Sequence, residues 1–260
     1  MITNIDLQVL LAEALNKDRP WVLSHSDYQI PDITLLQLEQ QLSELVSGFP
    51  LPYLIGKWEF YGLEFTITED VLIPRPETEL LVEYALEDAR NRQDTIISLD
   101  VGTGSGCIPI ALSASSSKFY FHASDVSREA LYVAKLNIEK HNVRNRIDLI
   151  QSNLIPPSNQ KYDLICANLP YIPTNDLGTL NVSKYEPLTA LDGGSEGIKL
   201  IDTFLSQSVN YLAFAGTILC EIEEDHGKQC LDISTDYYPD ANIDLINDLS
   251  GRTRLIRIKI

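Results

Sequence analysis

Three short stretches of the sequence carry residue types whose spacing could do chemistry. The first, Asp100-Val101-Gly102-Thr103-Gly104-Ser105-Gly106, falls where an apolar run gives way to a helical pattern. Glycines there let the backbone approach a ligand closely, and the first turn of the following helix offers unpaired N–H groups to acceptor atoms. Asp125 ends the next apolar run, a place from which one carboxylate can take both hydroxyls of a ribose. Together they predict a site for an adenosine-type cofactor at the carboxyl edge of a parallel sheet. The spacing is G-x-G-x-G, with Cys107 where the dinucleotide fingerprint wants its third glycine. That favours a compact nucleoside cofactor over a pyrophosphate-linked one.

The third stretch is Asn168-Leu169-Pro170-Tyr171, directly after the apolar run Tyr162–Ala167. An Asn oxygen and a neighbouring backbone carbonyl can accept hydrogen bonds from a planar NH₂ while an aromatic ring packs on the flat group. A plain Asx turn after a strand is the alternative, and the glycine-rich site beside it speaks for chemistry.

Other residues carry less. Glu77 and Glu79 sit where acidic side chains complement a helix dipole, and His122 lies within an apolar run as a packed or edge histidine. Glu221–Asp225 reads as a strand end and a helix start, and Arg252, Arg254, Arg257 and Lys259 as the solvated face of an edge strand. The four cysteines form no C-x-x-C pair and no metal-ligand spacing with the four histidines. Cys107, Cys166 and Cys220 stand in or beside apolar runs, as free thiols packed as small hydrophobes, which suggests a reducing, cytosolic compartment.

These residues need a scaffold to converge. Strands are expected near 96–101, 119–125, 146–151, 161–167 and 215–222, with helices near 105–115, 127–142, 196–213 and 224–233. Such alternation predicts a parallel sheet covered on both faces. The closing strands 242–247 and 253–260 are joined by the turn Ser250-Gly251, too short for a crossover, so they should pair antiparallel. Pro76 suits the first turn of a helix running towards Arg90. Trp58–Ile67 reads as a hairpin around Gly62. Before it come helices: Leu7, Leu10, Leu11, Ala14 and Leu15 form one stripe, and Leu35, Leu38, Leu42 and Leu45 another, with Thr34 and Gln37 as a capping box and Gly48 as the stop. A brief third helix fits between Pro50 and Gly56.

The chain of 260 residues has 20 lysines and arginines against 37 acidic residues, a net charge of −17. That balance argues against a protein that binds nucleic acid through its phosphates. Up to Asp70 only Lys17, Arg19 and Lys57 are basic. No apolar run approaches the roughly 20 residues that span a bilayer, and the start, Met1 to Asp6, lacks the pattern of a signal peptide. The expected location is the cytoplasm, away from membranes, and nothing in the sequence demands an oligomer.

With Val71-Leu-Ile-Pro-Arg75-Pro-Glu-Thr-Glu79, Glu186-Pro187, Gly193-Gly194, Glu221 with Gly227, and Gly251-Arg252 added, the chain resembles the class I S-adenosylmethionine methyltransferases of the amino-methylating group. More specifically it is similar to the HemK/PrmC-type enzymes that modify a glutamine amide in the G-G-Q motif of peptide chain release factors. The resemblance implies a seven-stranded Rossmann-like α/β sheet, mostly parallel with an antiparallel last strand. It implies a helical substrate-recognition domain over 1–56, a hairpin linker over 57–74 and a methyltransferase domain over 75–260. It implies S-adenosyl-L-methionine as cofactor, with S-adenosyl-L-homocysteine as product, no metal, and release factors as protein partners. Gly102, Thr103, Gly104, Ser105 and Gly106 would hold the methionine end, Asp125 the ribose, and Asn153-Leu154 and Asn168 would complete the cofactor site. Asn168, Leu169, Pro170 and Tyr171 would present the acceptor, with Asn168, Pro170 and Tyr171 as the catalytic group. Leu169 replaces the first proline of the family's N-P-P-Y, Asn153-Leu154 stands where an Asp and an aromatic residue are common, and His226 stands where Gln is common. A methyltransferase for an exocyclic amine of a nucleic acid base uses the same N-P-P-Y chemistry but predicts a basic groove. A nicotinamide oxidoreductase leaves Asn168–Tyr171 unexplained, and a non-catalytic binding protein would require that Leu169 disable the site.

Overall fold

The computed structural model describes residues 3–260, so the first two residues of the stretch read as free of a signal peptide lie outside the described residues. The chain divides into a first unit ending at Lys57 and a second running from Trp58 to Ile260. Among the described residues no helix is long and apolar enough to cross a membrane.

In the first unit, α1 (Asn4–Ala14) is opened by a capping box in which Thr3 Oγ1 accepts from the Asp6 N–H and Asp6 accepts from the Thr3 N–H. The short α2 (Arg19–Ser24) starts on the Asp18 side chain, which accepts from the Trp21 N–H at 2.8 Å. Six residues show no helical period, so the sequence did not separate it. Helix α3 (Asp32–Ser47) ends at Gly48 in the left-handed region, as expected, but the Thr34–Gln37 capping box does not form. The helix starts three residues earlier, straight after Pro31, whose fixed φ leads into the first turn. Only parts of the two leucine stripes are buried: Leu10, Leu38 and Leu45 are, whereas Leu7 and Leu35 are 40% and 43% exposed. Short crossing helices bury a stripe only where a neighbour lies over it. α4 (Leu51–Ile55) stops at Gly56.

The hairpin β1 (Lys57–Phe60) and β2 (Leu63–Thr66) begins on the last residue of the first unit and otherwise belongs to the second. Tyr61 and Gly62 both have positive φ, 52° and 69°, the signature of a tight primed turn. After a single 3₁₀ turn at Pro76–Thr78 come α5 (Glu79–Ala89), β3 (Ile96–Val101), α6 (Cys107–Ser115), β4 (Phe119–Asp125), α7 (Arg128–Lys140), β5 (Ile147–Gln151), β6 (Tyr162–Ala167), α8 (Thr174–Leu177), α9 (Lys199–Ser208), β7 (Leu212–Glu221), α10 (Gly227–Tyr237), β8 (Asn242–Asn247) and β9 (Thr253–Lys259). The sheet order is β5-β4-β3-β6-β7-β9-β8. All pairs are parallel except those of β9, which runs antiparallel to both β7 and β8. The central strands β3 and β6 are buried along nearly their whole length because helices cover both faces. α7 buries Ala130, Val133, Ala134, Asn137 and Ile138, one face at helical spacing, and Ser127 caps it through the Ala130 N–H.

Three expectations need correction. β9 is an inner strand, so its bases are not a solvated edge: Arg254 pairs with Glu223 and Asp248, Arg257 with Asp244 and Asp88, and Lys259 with Asp88. Strand β7 starts at Leu212, earlier than expected, because Ala215 at φ 59° bends the strand and shifts its register against β6. Correspondingly α9 stops at Ser208.

Asn137 carries more than its position on α7 advertises. It is fully buried, accepts from the Thr66 N–H at 2.7 Å, and donates to the Thr66 and Ser105 carbonyls at 3.0 and 2.9 Å. One side chain thus ties the hairpin and the glycine-rich turn to the same helix. Asn137→Ala leaves three backbone groups unsatisfied and is expected to destabilise the protein by about 2–4 kcal/mol, read as a lower denaturant midpoint. An unchanged midpoint would show that water replaces the amide.

Candidate active site

Strand order reverses at β3, with β4 on one side and β6 on the other. Ligands of open α/β sheets sit in the crevice at such a point, beyond the carboxyl ends of the strands. Here that crevice holds a cleft lined by the ends of β3, β4 and β6 together with the segment before α5. Gly102, Thr103, Gly104, Ser105, Asp125, Asn153, Leu154, Asn168, Leu169 and Pro170 all line it. The expected residues therefore converge, with two exceptions in place rather than in neighbourhood.

Gly106 does not line the cleft. It faces inward, where a Cβ would come within 3.1 Å of Ile110 and 3.3 Å of Ala134, so its φ of 79° and missing side chain serve the packing of α6 against α7. Tyr171 lies one pocket further on. There Asn168, Leu169, Pro170, Tyr171 and Arg75 line a smaller cavity that adjoins the first. Asn168, Leu169 and Pro170 line both, and form the wall between them.

The glycine-rich turn is held by backbone bonds. The Gly102 and Thr103 N–H groups donate to the Ser124 carbonyl at 2.9 Å, and the Gly104 N–H donates to Asp125 Oδ2 at 2.9 Å. Asp125 Oδ1 accepts from the Ser127 N–H at 2.9 Å. Burial raises the Asp125 pKa, and those N–H groups work against the rise. Each carboxylate oxygen keeps a lone pair for a further donor. A Cβ on Gly104 would meet nothing within 4 Å, which leaves the turn open to a ligand. Leu154, with φ 60°, is held in the left-handed region at the floor of the cleft, its carbonyl accepting from Ser124 Oγ at 3.0 Å.

Two buried carboxylates stand behind these residues, and composition gave no sign of either. Asp100 is fully buried, and neither of its oxygens has a hydrogen-bond partner; the Thr103 hydroxyl nearby is also unsatisfied. Burial raises the Asp100 pKa to about 7, and the charge of Asp125 adds to the rise. Glu221, at the end of β7, accepts from the Thr78 hydroxyl at 2.7 Å, and Thr78 Oγ1 accepts from Asn168 Nδ2 at 3.0 Å. Burial raises Glu221 to about 7 as well. Cys107, also at the cleft, is pushed up to about 12 by burial, so it stays a thiol.

The turn after Asn168 is clamped from outside. Ile172 donates to the Leu191 carbonyl and Gly193 to the Ile172 carbonyl, at 3.0 and 2.9 Å. A Cβ on Gly193 would fall 2.8 Å from the Pro170 carbonyl oxygen, and one on Gly197 would fall 2.3 Å from that of Tyr171. His226 packs on the same Gly197. Gly193→Ala must therefore displace the Pro170–Tyr171 backbone, and turnover is expected to drop about tenfold or more while cofactor affinity stays. Steady-state rates beside calorimetric titration check this, and an unimpaired rate rejects a need for that geometry. Arg75, next to the shared wall, is fixed by an ion pair with the buried Glu186, which also accepts from the Ile73 N–H. Among the described residues no group of three or more His, Cys, Asp or Glu side chains could hold a metal ion.

A seven-stranded sheet of this order, with antiparallel β9 beside β7 and a glycine-rich turn at the reversal point, is the fold of the Rossmann-like methyltransferases. Solved structures agree on the fold: a ribosomal protein L11 methylase from Lactobacillus delbrueckii subsp. bulgaricus superposes with a TM-score of 0.53 at 20% identity, covering 74% of this chain and 82% of that one. A methyltransferase from Pyrococcus furiosus superposes at 0.55 and 15% identity, covering 85% of this chain and 96% of the other. Residues 76–182 match the family described as Methyltransferase small domain, and residues 3–56 that described as PrmC N-terminal domain. The release factor glutamine methyltransferase of Clostridium botulinum is 36% identical over 260 residues, 98% of this chain and 91% of its own length. That of Bacillus subtilis is 32% identical over 257 residues, 96% of this chain and 88% of its own. The chain belongs to the release factor glutamine methyltransferase family.

Proposed function

We propose that the protein transfers a methyl group from S-adenosyl-L-methionine to the side-chain amide nitrogen of the glutamine in the G-G-Q motif of peptide chain release factors. One observation carries the reading: Asn168, Leu169 and Pro170 form a wall shared by the nucleoside-type cleft and a second, smaller cavity. A group donated on one side can there meet an amide held on the other.

The cleft suits the cofactor. Asp100, buried just behind the cleft-lining Gly102 and Thr103, is a carboxylate without a hydrogen-bond partner, and an α-ammonium group placed at that turn would offset its charge. Asp125 would take the ribose hydroxyls, and the open turn at Gly102–Gly104 the methionine end. Asn153 and Leu154 would border the adenine. Bound there, S-adenosylmethionine supplies a methyl group already activated by its sulfonium charge. The residues of the chain then have to orient the acceptor. An amide nitrogen is a poor nucleophile because its lone pair is delocalised into the carbonyl. Asn168 Oδ1 and the turn carbonyls would accept both NH₂ hydrogens, which fixes the nitrogen in line and stabilises positive charge developing on it. Tyr171 would pack against the flat amide; burial raises its phenol pKa, so it stays neutral. No side chain has to act as a general base, since the proton can leave to water afterwards.

The helical unit ending at Lys57 would recognise the protein substrate. Ile33, Leu36 and Val46 on α3 are 72%, 67% and 72% exposed, an apolar surface suited to a protein rather than to a polyanion. The test is incubation with methyl-labelled S-adenosylmethionine and a release factor, read by peptide mass spectrometry. A single methyl on the G-G-Q glutamine is expected. Cofactor binding without that product would redirect the substrate assignment to other proteins or nucleic acid, and no cofactor binding would end the methyltransferase reading.

A further inference from the structure

An Asn side chain presents oxygen on one edge and NH₂ on the other, in nearly the same shape. Only the oxygen edge of Asn168 can accept from an acceptor NH₂, so the wrong rotamer is an inactive one. Asn168 Nδ2 donates to Thr78 Oγ1 at 3.0 Å, and that hydroxyl donates to Glu221 Oε2 at 2.7 Å. Thr78 and Glu221 are 2% and 4% exposed, so water does not compete for these bonds. A carboxylate has no hydrogen to give. The Thr78 hydroxyl must therefore donate to it, which leaves only lone pairs facing Asn168, and Asn168 has to offer its NH₂. We infer that Thr78 and Glu221 are positioning residues that lock the Asn168 amide with Oδ1 towards the acceptor cavity. This role deepens, and rests on, the transfer to a glutamine amide proposed above.

The lock depends on the charge of Glu221. A protonated Glu221 can donate to Thr78, freeing the hydroxyl to donate to Asn168 Oδ1, which is the flipped state. Burial disfavours the charge of Glu221, as do Glu77 and Glu223, whereas the Thr78 hydroxyl and Arg254 of β9 favour it. Cys107 and Tyr171 face it as neutral groups whose own ionisation its charge opposes.

The experiment measures turnover on the release factor and calorimetric affinity for S-adenosylmethionine in wild type, Thr78→Val, Thr78→Ser and Glu221→Gln. Thr78→Val and Glu221→Gln are expected to lose about tenfold or more in kcat, with cofactor Kd within about threefold of wild type. Thr78→Ser keeps the hydroxyl and regains most of the rate. The wild-type rate should rise with pH through about 7, and that limb should vanish in Glu221→Gln. Wild-type turnover in Thr78→Val, or a Thr78→Ser as impaired as Thr78→Val, overturns the lock. Parallel loss of cofactor affinity also overturns it, since that marks a structural role. If Thr78→Val does not fold, the nearly isosteric Glu221→Gln carries the same expectation. A wild-type protein that methylates no glutamine overturns the proposed function together with the lock, whereas an active wild type with an equally active Thr78→Val overturns the lock alone.

Discussion

Asp100→Asn is expected to weaken S-adenosylmethionine binding about 100-fold just above pH 7, because a buried charge pair loses one partner and about 3 kcal/mol with it. The replacement has nearly the same shape, so the cleft survives and titration calorimetry reads the lost charge. The pH dependence has a definite sign. Asp100 has a pKa of about 7 without ligand, and only its ionised form can pair with an ammonium group. Wild-type affinity should therefore climb about tenfold per unit as pH rises to about 7, and fall again once the cofactor's ammonium group loses its proton at about pH 8. Asp100→Asn should show no such limb. A variant that binds as tightly as wild type would remove Asp100 from the cofactor site. The same shift bears on stability. Asp100 and Glu221 have folded values of about 7 against ordinary values of 3.8 and 4.5. The folded state therefore holds their protons more tightly than the unfolded chain. Their contribution is full below about pH 4 and is lost as pH rises through about 7, and bound cofactor should reverse the Asp100 part.

Asn168→Ala is expected to reduce turnover by roughly 100- to 1,000-fold while leaving cofactor affinity within about threefold. The side chain ends in the wall between the two cavities, and its deletion removes the acceptor that aligns the substrate amide. Single-turnover rates at saturating cofactor isolate this effect from binding. Collapse of cofactor affinity with turnover otherwise preserved would assign Asn168 to the cofactor rather than to the acceptor. The neighbouring departure from the family pattern is milder. Leu169 is buried, and its side chain would lie 3.3 Å from a Cβ on Gly102, so it fills the space between the turns of β3 and β6 while its carbonyl stays in the acceptor turn.

The sheet was legible because its strands are short apolar runs punctuated by helical patterns: β4 falls at 119–125 and β8 at 242–247, as the sequence reading placed them. The glycine-rich turn, Asp125 and the Asn168 turn were legible because each sits at the end of such a run. What stayed hidden depends on contacts far apart in sequence. Thr78 and Glu221 are 143 residues apart and Asn137 and Thr66 are 71 apart, and no local pattern marks a side chain whose partner is that distant. The identity of Asp100 was visible but its isolation was not, because burial of a strand-end carboxylate depends on the layers around it. The bases of β9 were misplaced for the same reason, since strand order is a tertiary property. The Thr34 cap failed because Pro31 supplied an earlier start.

The insertion of β9 between β7 and β8 sets an order of events during synthesis. β8 leaves the ribosome before β9, yet it has no sheet partner until β9 arrives. Until Lys259 is in place β7 shows an open flank of unpaired backbone groups, and that flank is a template for other chains. A message cut short anywhere after α10 therefore yields a cofactor cleft whose parts have all been made, on a sheet that is unfinished and adhesive. Ribosomes that stall before β9 is complete would release aggregating fragments rather than weakened enzyme.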